Sequence, residues 1–480
     1  MFLSDARGHS IFGRAIIALG MSVLSAGCLE QHRPADVAAI YREAARTESA
    51  RRRPVIVIPG ILGSNLVQQD TGRIVWGAFS GTYADPLTAE GARLIALPMG
   101  NGPLSELTDD VIPNGALDRV KIEILGLPIE LNAYHSLLHT LGVGGFRDRE
   151  LAEAGAIDYG SKHYTCFQFG YDWRRSNAEN AARLMAYIKE TRAFVQSQFE
   201  REFGPGDYDV KFNIVAHSMG GLLTRYFLRY GDAPLPTDGS LPEITWAGAE
   251  YVDQAILVGT PNAGSVLALR QLVEGTHPAP IINPYSAAIL GTMPAVYELM
   301  PRARHATVYE NGPNRKVVED LTDADVWKRY RWGMFDPNQE KTLRVLLPEV
   351  SDANKRRAIA VDHLTKCLRN ARRFCDALDH PAVPPADLKL VLYAGDALDT
   401  PTALAVTPST GRVSICETAP GDGTVARYSA LMDERKGRPY EARLKSPIDW
   451  HQVTFLFDDH LGLTNTKHFH DNVLFQLLER

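Results

Sequence analysis

One serine in this chain sits where its hydroxyl can be turned into a nucleophile. The segment Val215-Ala216-His217-Ser218-Met219-Gly220-Gly221 follows an apolar run and leads into a helical pattern. That pattern sets Leu222, Leu223, Tyr226 and Phe227 on one face, with Gly231 as its cap. Strand, tight turn and helix around a serine make a nucleophile elbow. Ala216, Gly220 and Gly221 keep the turn free of bulk, so the hydroxyl can stand clear of the neighbouring backbone. A serine hydroxyl is a weak nucleophile at neutral pH. It needs a base to take its proton and an acid to hold that base.

Folds that use such an elbow place the acid after the serine and the histidine last. His460 follows the apolar run Val453 to Phe457 and precedes a terminal helical pattern over 466–480. His451 precedes that run, while His468 and His470 fall on the terminal helix, so placement selects His460. The acid stays open on these grounds. Asp422 lies in a glycine-flanked loop, Gly421-Asp422-Gly423-Thr424-Val425, and Asp396 and Asp399 follow the apolar run Leu388 to Tyr393. An oxyanion requires two backbone donors. The Met219 amide follows the serine, and the loop Pro59-Gly60-Ile61-Leu62-Gly63 offers the Ile61 amide. Chemistry of this kind needs neither a metal nor an organic cofactor.

The elements that must position these groups are legible as short apolar runs. They are Val55 to Ile58, Tyr164 to Phe169, Val210 to Val215, Val252 to Val258, Leu388 to Tyr393 and Val453 to Phe457. β-Branched runs without alternation suit strands covered on both faces of a parallel sheet. Between them, residues 178–203 set Leu184, Ile188, Val195 and Phe199 on one helical face, opened by the capping box Ser176-x-x-Glu179. The fold class is α/β, a mostly parallel doubly wound sheet. Two stretches, 67–160 and 265–385, interrupt the rhythm and read as insertions that cap the sheet. The second holds a helix with Val361, Leu364, Leu368, Ala371, Cys375 and Leu378 on one face. Cys367 and Cys375 share that helix at a spacing too long for a disulfide.

Residues 1–28 read as a leader. Arg7 and Arg14 precede the apolar run Ala15 to Leu24, and Ser25-Ala26-Gly27-Cys28 resembles a bacterial lipoprotein processing site with Cys28 as the lipid carrier. The run is too short to span a bilayer. A leader of this kind implies the cell envelope, as a periplasmic or membrane-anchored protein, or else secretion. Residues 29–53 read as a linker, with an amphipathic helix over 33–53 ending in the solvated run Arg51-Arg52-Arg53. The main domain spans 54–480. A net charge of −6 argues against a nucleic-acid partner.

Together these motifs resemble the lecithin:cholesterol acyltransferase family, which includes lysosomal phospholipase A and phospholipid:diacylglycerol acyltransferase. The resemblance rests on residues 54–66, on Gly170-Tyr171-Asp172-Trp173-Arg174, on the elbow, on Gly259-Thr260-Pro261-Asn262-Ala263-Gly264-Ser265, on the Asp422 loop and on His460-Leu461. It implies an α/β-hydrolase fold with cap and lid insertions, and favours Asp422 as the acid. It also supports His460 and the Ile61 amide. It further implies acyl lipid or ester substrates, an acyl-enzyme on Ser218, and docking of the early insertion on a membrane surface. The expected activities are a lipid acyl hydrolase, an O-acyltransferase using a lipid alcohol, or a non-catalytic lipid-binding relative. Residues 67–160 contain no cysteine, a departure from the disulfide that the family's animal members carry there.

Overall fold

The computed structural model describes residues 37–77, 84–116, 119–124, 127–132, 134–277 and 282–479. The leader and Cys28 lie outside them. The chain divides into residues 1–40 and 41–480. Among the described residues, the first unit holds the short helix Val37–Ile40.

The second unit is built on a six-stranded sheet. Its strands are β1 (Val55–Ile58), β2 (Cys166–Gln168), β3 (Phe212–His217), β4 (Val252–Val258), β5 (Lys389–Gly395) and β6 (Gln452–Leu456). They lie in the order β6-β5-β4-β3-β1-β2, and every pairing is parallel. Each of the six apolar runs supplies one strand. β1 and β3 are buried along their whole length, as strands covered on both faces must be. The strand order reverses at β1, which has β2 on one side and β3 on the other. Ligands of doubly wound sheets gather at the carboxyl ends of strands beside such a switch. The ends of β1 and β3 carry Gly60 and Ser218.

Four helices matter for the site: α1 (Asn177–Phe203), α2 (Met219–Tyr230), α3 (Ala353–Asp379) and α4 (Lys467–Leu478). α2 is buried throughout, which explains its apolar inner face. α3 begins earlier than its periodicity predicts and buries Cys367 and Phe374 rather than Val361. Cys166, Cys367, Cys375 and Cys416 are free thiols. No helix among the described residues is long and apolar enough to cross a membrane.

Three local expectations are corrected. The helix expected over 33–53 does not extend through 47–53. Of residues 41–53 only Arg42–Arg46 is helical, and Thr47 turns extended toward β1. Arg52 and Arg53 are not a free solvated face. The Arg52 guanidinium lies 4.5 Å over the Phe146 ring, and Arg53 pairs with Asp209 at 2.9 Å. The capping box at α1 is only half formed. Ser176 caps the helix, but Glu179 reaches Arg175 at 3.3 Å instead of turning back.

A remote carboxylate supports the start of α1 through other donors. Glu298 is fully buried and accepts from the Asn177 amide at 2.9 Å, the Asn177 side chain at 2.7 Å, Ser176 Oγ at 2.6 Å and Asn370 Nδ2 at 2.6 Å. A carboxylate at a helix start satisfies orphan amides and complements the dipole. Burial nevertheless pushes its carboxyl up to about 7 against the pull of these donors. Glu298 thereby joins α1 to α3 and to the helix Pro294–Glu298. A second buried cluster holds the start of this connection. Arg174 is fully buried and pairs with Asp172 and Asp109, each at 2.9 Å, tying residues before β2 to the sheet. Glu298→Ala is expected to strand several buried donors and destabilise the chain by roughly 3 kcal/mol, read as a shift in the urea unfolding curve.

Candidate active site

β3 ends at His217, and α2 begins at Met219, so the chain must reverse at Ser218 alone. Ser218 takes φ 54° and ψ −125°, a conformation that L-residues rarely hold. Its amide donates to the Val258 carbonyl at the end of β4 at 2.8 Å, which fixes the turn to the sheet. The loop after β1 presses against it. A Cβ on Gly220 would meet the Pro59 carbonyl oxygen at 2.4 Å, and one on Gly60 would meet Ser218 Cβ at 2.7 Å. Only glycine lets the two turns approach this closely.

His460 arrives on the loop after β6. Its Nε2 lies 2.8 Å from Ser218 Oγ, and its Nδ1 lies 2.8 Å from Asp422 Oδ2. Asp422 reaches that point on the return of a hairpin, Leu398–Val406 with Val413–Gly421, which leaves and rejoins the end of β5. A Cβ on Gly395 would touch Asp422 Cβ at 2.4 Å, so the hairpin closes directly onto β5. The other oxygen, Oδ1, accepts from the Thr424 amide at 2.9 Å and the Val425 amide at 2.6 Å. Burial alone would raise this carboxyl. The His460 charge and hydrogen bond, with the two amides, overcome it and hold Asp422 below its ordinary value.

The alternatives are used elsewhere. Asp396 pairs with Arg427 at 3.0 Å, and Asp399 is exposed on the hairpin. His451 is exposed before β6, His468 is exposed on α4, and His470 Nε2 bonds the Thr464 carbonyl at 3.0 Å. The structure thus brings Ser218, His460 and Asp422 together and none of these five with them. Of the two amides singled out for an oxyanion, that of Met219 adjoins Ser218, and that of Ile61 follows Gly60, the residue packed against the serine. Met219 opens α2, so its amide has no intrahelical acceptor. Ile61 lies in a tight turn closed by the Gly63 amide on the Gly60 carbonyl at 3.0 Å.

Two further residues at the site escaped the sequence reading. His217 is fully enclosed beneath the serine. Its Nδ1 lies 3.0 Å from the Tyr134 hydroxyl, and its Nε2 lies 2.9 Å from the His460 carbonyl oxygen. Tyr134 Oη in turn accepts from the Gly60 amide at 2.8 Å. The motif contained His217 without a role for it. Tyr134, far away between β1 and β2, carries no local signal. Burial, reinforced by the His460 ring, depresses the His217 imidazole to about 3.

The sheet order, the elbow and the Ser–His–Asp alignment define an α/β-hydrolase fold. A chain in the crystal structure of the Tle4–Tli4 complex shares it with a TM-score of 0.56 at 16% identity, over 90% of this chain and 99% of that one. The family is approached through sequence. The lecithin:cholesterol acyltransferase model matches residues 154–347, a span that holds Ser218 and stops short of Asp422 and His460. The chain is 26% identical over 295 residues to phospholipase A(1) LCAT3 of Arabidopsis thaliana, covering 57% of this chain and 60% of that protein. It is 24% identical over 264 residues to lecithin-cholesterol acyltransferase-like 4 of the same plant, covering 52% and 42%. The chain is therefore similar to that family, while the matches span three fifths or less of these curated relatives.

The depressed His217 makes a stability prediction. An unfolded histidine takes its proton near pH 6.5. The folded one, facing Tyr134, His460 and Asp422, takes it only near 3. Between those values the unfolded state binds more protons, so stability rises with pH and is lost as pH falls, by up to about 1.4 kcal/mol per pH unit. Urea unfolding of the native chain and of His217→Gln between about pH 4 and 7 is expected to show a shallower slope in the variant; equal slopes would contradict this account.

Proposed function

We propose that the protein is a serine-dependent acyl hydrolase or O-acyltransferase acting on lipid esters. The observation that carries this reading is the unbroken line from Ser218 Oγ through His460 to Asp422, with 2.8 Å at both joints. Ser218 Oγ attacks the ester carbonyl while His460 Nε2 takes its proton. Asp422 keeps the Nδ1 proton of His460 in place and stabilises the imidazolium. The amides of Ile61 and Met219 receive the negative oxygen. The tetrahedral species collapses, and the leaving alcohol takes the proton from His460 Nε2. An acyl ester on Ser218 remains. Water, or the hydroxyl of a second lipid, repeats the sequence in reverse and frees the serine. No cofactor takes part in these steps.

Lipid substrates are supported by the names of the relatives, a phospholipase A(1) and an acyltransferase-like protein. They are also supported by the apolar flanks of the His460 loop. Phe457 is 73% exposed and Leu461 53% exposed. Side chains of this kind beside a reacting centre suit an enzyme that meets its substrate at a lipid surface. We place the protein in the cell envelope, on the strength of the leader and of Cys28 as a lipidation site. The early insertion over 67–160 is the segment we assign to the membrane face, and 265–385 the cap.

The acyl acceptor is decided by product analysis. Purified chain is mixed with phosphatidylcholine vesicles containing a long-chain alcohol, and free fatty acid and new ester are quantified. Fatty acid alone makes the protein a hydrolase toward that acceptor, and ester makes it a transferase. Asp422→Asn is expected to lower kcat by about 10⁴, because the amide favours the wrong His460 tautomer. His460→Ala is expected to abolish turnover while His470→Ala leaves it within about twofold; the reverse result would remove His460 from the mechanism.

A further inference from the structure

The hydrogen bonds around His217 admit one arrangement of protons. The His460 carbonyl can only accept, so His217 Nε2 must carry the hydrogen and donate. With the imidazole neutral, Nδ1 is then an acceptor, and the Tyr134 hydroxyl must donate to it. Its oxygen is left free to accept from the Gly60 amide, as it does at 2.8 Å. The chain runs Gly60 N–H to Tyr134 O–H to His217 Nδ1, and from His217 Nε2–H to the His460 carbonyl. Every donor has one acceptor, and Tyr134 and His217 are each 3% exposed.

Four separate pieces of the molecule meet in this line. Gly60 precedes Ile61 in the loop after β1. Tyr134 stands before the helix His135–Val143 of the first insertion. His217 adjoins Ser218, and His460 is the base. The ring centroids of His217 and His460 are 4.8 Å apart, and those of Tyr134 and His217 5.6 Å apart. The contact falls on the backbone of His460, away from the ring atoms that face Ser218 and Asp422. A peptide held at its carbonyl can move less, and the ring it carries moves less with it.

We propose that His217 and Tyr134 are positioning residues that hold the base loop and the oxyanion loop in register with Ser218. This rests on the reading of Ser218, His460 and Asp422 given above. His217 fixes the His460 loop from below. Tyr134 fixes Gly60, and through it the Ile61 amide. Neither touches the reacting atoms. A neutral His217 is essential to this task, since a second positive charge beside His460 would oppose the imidazolium that forms during acyl transfer. Burial supplies that neutrality by holding the imidazole down to about 3. The first insertion thereby contributes to the geometry of the site as well as to its surroundings.

The test uses the full chain with a short p-nitrophenyl ester, and measures kcat, KM and thermal midpoint for Tyr134→Phe, His217→Gln and His217→Leu. Misplacement by about 1 Å can cost on the order of 100-fold in rate. His217→Leu is expected to lower kcat at least about 50-fold with KM within about threefold. His217→Gln, whose amide can still donate to the His460 carbonyl, is expected to recover to within about tenfold of the native rate. Tyr134→Phe is expected to lower kcat by about 5- to 20-fold at unchanged KM. A packing role alone would not produce rescue by glutamine. If His217→Leu matches the native rate, or His217→Gln is no better than His217→Leu, the inference is overturned. Should His217→Leu fail to fold, Tyr134→Phe decides by itself, since it removes one oxygen, and an unchanged kcat overturns the proposal. A folded native chain that turns over no ester would instead defeat the underlying reading of Ser218, and the inference with it. An active native chain with indifferent variants defeats only the inference.

Discussion

The chain turns from a buried strand into a buried helix within one residue, and that residue is Ser218. A non-glycine residue at φ 54° is strained by roughly 1–3 kcal/mol and persists only where its surroundings over-determine it. Here they do. β3 is locked between β1 and β4, α2 is buried along its whole length, and the Ser218 amide is bonded to the end of β4. The strain holds the hydroxyl above the sheet, where no strand or helix of ordinary geometry would put it. The loop after β1 can then lie against the turn, and the base and acid can approach from the far side.

The base and acid reach the serine by different routes, and both depend on the sheet. β5 and β6 end on the same side as β3, so loops leaving them converge. His460 takes the direct route from β6. Asp422 takes the long one, through a hairpin that returns to β5 and packs its Cβ against Gly395. The carboxylate is then anchored by two amides of its own turn. The charge and hydrogen bond of His460, aided by that anchoring, keep a buried acid ionised. Beneath the serine, His217 and Tyr134 connect the His460 loop to the loop after β1 through atoms that take no part in bond making.

How much of this could be read without coordinates varies with how local the cause is. The six strands were legible because burial on both faces demands uninterrupted apolar runs, and each run names its own strand. Ser218 was legible because the turn demands small neighbours at set positions. His460 followed from its place after the last strand. Asp422 could not be told from Asp396 by local pattern, because the hairpin that carries it back to β5 is a long-range event. Resemblance to a family favoured it where periodicity did not. Glu298 capping α1 and Tyr134 bonding Gly60 were invisible for the same reason, each joining segments far apart in the chain. The arginines at 51–53 misled because charge runs are usually solvated, whereas the ring of Phe146 and the carboxylate of Asp209 give two of them partners.

The central claim is that Ser218 is a nucleophile activated by His460. Intact-protein mass spectrometry after treatment with a fluorophosphonate tests it directly, because the probe bonds a serine only when that serine is activated. The account predicts one adduct per chain, mapped to Ser218 by peptide fragmentation, and none in Ser218→Ala. An unlabelled native chain, or an adduct that persists in Ser218→Ala, would contradict it.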